Sequence, residues 1–127
     1  PLPEGYAVRD KEGHEHHAMR VAWWNAAAAT WRDAAMSVSN LDCLPEGPLP
    51  QALRDRTYPT DAKPVFFGHY WMSGDPVLQA PNVLCLDYSA GEKGPLVTYT
   101  LTVGGQPLRA RNIKSHSPRE NATSINQ

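Results

Sequence analysis

At 127 residues the chain fits one small domain with room for a single core. Apolar residues make up 41%, which excludes wholesale disorder, while twelve prolines and nine glycines argue for many turns and against a helix bundle. A formal charge of −1 excludes a strongly basic nucleic-acid-binding face, and no apolar run approaches a membrane span.

In chain order, residues 1 to 40 are mixed. Tyr6 to His17 is polar, with Asp10-Lys11-Glu12-Gly13 as a turn signal. Met19 to Trp24 alternates in part and predicts a strand. Asn25 is placed to cap a helix over the alanine-rich stretch Ala26 to Met36. Residues 41 to 63 form a connector broken by Pro45, Pro48, Pro50 and Pro59, with room for a short helix at Gln51 to Arg56.

Residues 64 to 113 carry the clearest strand signals. Pro64 to Phe67 is a short buried-type strand ending at Gly68-His69, and Asn82 to Asp87 is a second apolar run. From Val97 to Val103 apolar residues alternate with threonines, which predicts a strand with one polar face. Gly104-Gly105 then signals a two-residue hairpin turn, with Leu108 to Ile113 as the returning strand. Residues 114 to 127 are a polar tail containing the sequon Asn121-Ala122-Thr123. Cys43 and Cys85 are far apart and read as free thiols, which places the chain in the cytoplasm.

The runs Pro64-Val65-Phe66-Phe67-Gly68-His69-Tyr70-Trp71, Pro81 to Ser89 and Gly94-Pro95-Leu96-Val97-Thr98-Tyr99 together resemble the end of calcineurin-like metallophosphoesterases. The similarity is greatest to a bacterial group related to serine/threonine protein phosphatases and diadenosine tetraphosphatases. It extends over residues 1 to 113, with Tyr6 to Gly13 and Arg20 to Trp24 resembling that group's linker. It implies an α/β fold: this chain would be the C-terminal portion of an α/β/β/α sandwich, β-rich in its second half, with residues 1–63 as a linker or insert. The resemblance implies that His69 ligates one of two divalent metal ions, commonly manganese, iron or zinc. Two cations about 4 Å apart neutralise a phosphate ester and lower the pKa of a bridging water. A neutral imidazole at a rigid strand end suits such a site, with Gly68 leaving room for close backbone approach.

The family builds most of its metal centre upstream, from Asp-x-His, Gly-Asp-x-x-Asp and Gly-Asn-His motifs. None of the three occurs here, and where many relatives carry a second histidine two residues after the first, this chain has Trp71. The expectation is therefore a fragment, consistent with a start that lacks Met, or a domain without the catalytic half; catalytic acid and base residues would lie upstream.

Other residues have two readings each. Tyr70 and Trp71 line a substrate mouth or pack on a neighbouring loop. Asp87 orients the ligand imidazole or forms a strand-end turn. His14, His16 and His17 lie on a solvated turn or make a small metal module. Trp23, Trp24 and Trp31 read as core or cover. The parent would act on a phosphorylated substrate: a phosphoprotein, a dinucleoside polyphosphate or a smaller phosphomonoester. The rival is a non-catalytic β-rich interaction domain. Unpartnered sheet edges would favour self-association of an isolated fragment.

Overall fold

The structure is a computed structural model that describes residues 1–104 and 107–118. It is mixed helix and strand, an α/β chain in which the described strands form four separate two-stranded sheets. Two compact units divide at residues 63 and 64.

In the first unit Val8–Arg9 (β1) and Glu15–His16 (β2) pair antiparallel. The connection closes because Asp10 is an Asx-type turn former: Oδ1 accepts the amides of Glu12 and His14, each at 2.9 Å. Arg20–Val21 (β3) pairs antiparallel with Ala35–Met36 (β4). The strand expected over Met19 to Trp24 is thus reduced to two residues.

The helix expected over Ala26 to Met36 is corrected to a single turn, Trp31–Ala34 (α1). Its cap is Thr30, not Asn25: Thr30 Oγ1 accepts the Asp33 amide at 3.2 Å, and Asp33 Oδ2 accepts the Thr30 amide at 2.9 Å. Asn25 instead makes a local turn, with Oδ1 accepting the Ala27 amide. Ala35 leaves the helix (ψ 132) to pair with β3, so strand pairing overrides the helical preference of the alanines. Gln51–Arg54 (α2) forms within the predicted 51–56 stretch. The core is Leu2, Val8, Ala28, Trp31, Ala34, Leu44 and Leu49, with Met19, Ala35, Val38 and Leu53 packed against it. Trp24 is also buried, and Trp23 meets Trp24 and Tyr58 edge-on, so the tryptophans are core and cover.

In the second unit Val65–Phe67 (β5) and Val83–Cys85 (β6) pair in parallel, residue for residue. Parallel neighbours need a crossover, and residues 68 to 82 supply it without a helix. All three β6 side chains are fully buried. The backbone groups of β6 that face away from β5 are met by the crossover itself. The Val83 carbonyl accepts from Gln79 N at 3.0 Å, and Gln79 Oε1 accepts the Cys85 amide at 2.5 Å. Gln79 therefore stands in for a neighbouring strand on that edge.

Leu96–Tyr99 (β7) pairs antiparallel with Ile113–His116 (β8), Tyr99 opposite Ile113. Two expectations are corrected here. The strand ends at Tyr99 instead of Val103, because Leu101 and Val103 are exposed and their alternation has no face to bury. The return strand is Ile113–His116 instead of Leu108 to Ile113. The Leu108 amide bonds the Pro81 carbonyl, and the Arg109 amide donates to the Tyr99 hydroxyl at 2.9 Å, so these residues form a loop. Gly105 of the expected turn and the sequon lie outside the described residues. No helix among the described residues is long and apolar enough to cross a membrane.

Candidate functional site

The site begins where β5 ends. Past Phe67 the chain turns through Gly68 into His69, whose φ of 67° is left-handed, a conformation uncommon for any residue with a side chain. The turn is held by Asp87, just beyond β6. Asp87 Oδ2 accepts the His69 amide at 2.7 Å and Oδ1 accepts the Ser89 amide at 3.0 Å. Asp87 therefore engages the His69 backbone and the Ser89 amide, which is the strand-end turn of its two readings. The reason is reach: parallel register sets Phe67 beside Cys85, so Asp87, two residues past its strand, meets the amide two residues past the other.

His69 is exposed, and its imidazole stands edge-on to Trp71, centroids 5.5 Å apart at 82°. Trp71 is also left-handed (φ 49°) and 57% exposed, so it flanks His69 in solvent. Tyr70 goes the other way and packs edge-on against Phe67 at 5.1 Å. Of the two candidate mouth residues, Trp71 shares the surface of His69 and Tyr70 packs back onto the end of β5. A wide-open concavity of about 460 Å³ is walled by Phe66, Phe67, Gly68, Leu86 and Asp87.

Gly68 was expected to permit close approach. A methyl group there would meet Asp87 Cβ at 3.5 Å, an ordinary contact, so the position does not demand glycine. Gly94 does: a Cβ would lie 1.8 Å from the Tyr88 carbonyl oxygen. Its signal was legible as Gly94-Pro95, but its partner was not.

The chain's own donors around His69 do not fit a two-metal centre. Among the described residues one imidazole stands there, and both oxygens of Asp87 already accept backbone amides. Among the described residues, the three-ligand group close enough to hold an ion is elsewhere, Asp10, Glu12 and His14 on the β1–β2 turn. His16 Nε2 lies 2.9 Å from Asp10 Oδ2, and His17 turns to the Tyr6 carbonyl at 3.3 Å, so the three histidines do not converge. The hydrogen bond from His16, aided by the Glu12 and His14 amides, holds the Asp10 carboxyl down to about 2. These contacts are what a polar turn needs to close.

Cys43 is exposed and Cys85 buried, both free thiols; burial pushes the Cys85 thiol up. No protein-family model, no curated protein and no solved structure matches the chain.

Proposed function

We propose that this chain is the C-terminal portion of a calcineurin-like metallophosphoesterase, an α/β/β/α sandwich in which His69 is one ligand of a dinuclear centre completed by residues outside these 127. The parent hydrolyses phosphoesters, whether of a phosphoprotein, a dinucleoside polyphosphate or a small phosphomonoester. The observation that carries the reading is the parallel β5–β6 pair, which delivers an exposed histidine at a strand end on a backbone fixed by Asp87. A rigid strand end is what a metal ligand requires, since its direction must be set before the ion arrives. Trp71 beside the imidazole is placed to border the substrate. The free thiols support a cytoplasmic setting.

The test is manganese-dependent hydrolysis of an aryl phosphate by the chain joined to the coding sequence that precedes it. Turnover that falls by about a hundredfold or more in His69→Ala supports the reading. Absence of turnover with manganese, iron and zinc alike refutes it.

Among the described residues no cluster of three ligands includes His69, which favours a second reading, a non-catalytic interaction domain of the same shape. Upstream sequence bearing Asp-x-His and Gly-Asn-His motifs decides for the enzyme, and its absence decides for the interaction domain.

A further inference from the structure

We infer that Asp87 is the positioning residue of the His69 loop, fixing the left-handed turn from which both His69 and Trp71 project. The functional consequence rests on the metallophosphoesterase reading; the clamp itself is backbone geometry.

Two acceptors of one residue bracket the loop, and a third holds the turn that follows it. Asp87 Oδ2 takes the amide of His69 at its start, and the Asp87 carbonyl takes the amide of Met72 at its end, 2.9 Å away. Oδ1 takes the amide of Ser89, itself left-handed at φ 62°. Between the two tethers lie His69 and Trp71, both at positive φ. Such backbone is unfavourable for residues with a Cβ and persists where surrounding contacts determine it. A carboxylate is the acceptor suited to this, because hydrogen bonds to a charged oxygen are stronger than neutral ones and its two oxygens serve two amides at once. Asparagine keeps one oxygen and turns an NH₂ toward the other amide, so it would hold half the clamp. Alanine leaves both amides without it. With the backbone released, the imidazole loses its fixed direction and its edge-on contact with Trp71.

Backbone hydrogen exchange of the 127-residue chain tests the clamp directly. In Asp87→Ala the His69 and Ser89 amides are expected to exchange about tenfold faster or more, the size of a lost charged hydrogen bond. The Ala22 and Thr100 amides, bonded elsewhere, report whether the fold survives. Asp87→Asn should lie between. If Asp87→Ala unfolds the chain, Asp87→Asn must still show faster exchange at His69 or Ser89 alone. A His69→Gly background adds an independent measure: glycine accepts the left-handed backbone, so Asp87→Ala should shift the urea midpoint less there than beside His69. Unchanged His69 exchange in both Asp87 variants overturns the clamp.

The second arm uses the chain joined to its preceding coding sequence. Asp87→Ala should lower kcat by about tenfold or more with KM for an aryl phosphate little changed, and Asp87→Asn should recover part of it. Lost protection with kcat intact overturns the positioning role. A wild-type protein without turnover refutes the phosphoesterase reading, while the exchange data still decide the clamp.

Discussion

Gly94 lies so close to Tyr88 that a single added carbon would stand 1.8 Å from the Tyr88 carbonyl oxygen. Its amide meanwhile donates to the Ser89 carbonyl at 2.9 Å, so the turn after β6 is drawn tight from both sides. Tyr88 is buried, and its hydroxyl accepts the Val77 amide, which leaves the carbonyl little freedom to retreat. Gly94→Ala should therefore destabilise by about 3 kcal/mol. Urea denaturation checks this; Gly91→Ala, where a methyl group would meet nothing, is the matched control.

Thr30 and Asp33 cap one helical turn reciprocally, and α1 has too few residues to stand on propensity alone. Thr30→Ala should cost about 1 kcal/mol, and Thr30→Ser should retain most of it. The hydrogen bonds from Thr30 and Ala29 that hold the Asp33 carboxyl below its ordinary range should weaken in Thr30→Ala, raising the Asp33 titration midpoint measured by NMR.

Asp10 gives a pH dependence of definite sign. Its carboxyl is lowered in the folded chain from an ordinary 3.8 to about 2. The ionised form is therefore the one the fold favours. Its contribution is full above pH 3.8 and disappears as pH falls toward 2. Carboxyl NMR should place the Asp10 midpoint near 2 in the native chain and higher in His16→Ala, where the first of its partners is gone. A midpoint near the ordinary value in the native chain would show that the His16 bond does not persist in solution.

Gln79 protects the far edge of β6. Gln79→Ala removes the acceptor of the Cys85 amide and should cost about 1 kcal/mol. An unmet strand amide also recruits other chains, so self-association measured by light scattering should rise in the variant relative to the native chain.

The isolated 127-residue chain should hydrolyse no aryl phosphate above background, since one imidazole cannot hold two cations. Turnover abolished by His69→Ala in this chain alone would overturn that expectation.

β5 and β6 were legible in the sequence because each is a short apolar run closed off by turn-forming residues, Pro64 and Gly68 for the first, Pro81-Asn82 and Asp87 for the second. Their parallel pairing was not, because nothing local distinguishes a crossover from a hairpin. The alanines after Asn25 carried a helical signal that pairing with Arg20 and Val21 cut short, and the reciprocal Thr30–Asp33 cap, which the reading of Asn25 overlooked, sets the later start. The threonine alternation ran past Tyr99 because a period of two reports side-chain direction, not whether a face is covered. At the site, the residue type of His69 was visible. A link to Asp87, eighteen positions later, was also anticipated, but through the ring; the left-handed backbone and the amide contact were not, since both depend on which strands lie side by side.

The crossover that carries His69 is tied down on one side by Met72 to the Asp87 carbonyl and on the other by Val77 to the Tyr88 hydroxyl, and Ser73, Gly74 and Asp75 lie exposed between these ties. Extra residues inserted there would enlarge a surface loop without moving the histidine or disturbing the sheet. The stretch can therefore vary in length and chemistry while the turn beside it stays constant, a place where the same scaffold can be retuned to a different partner by lengthening one loop.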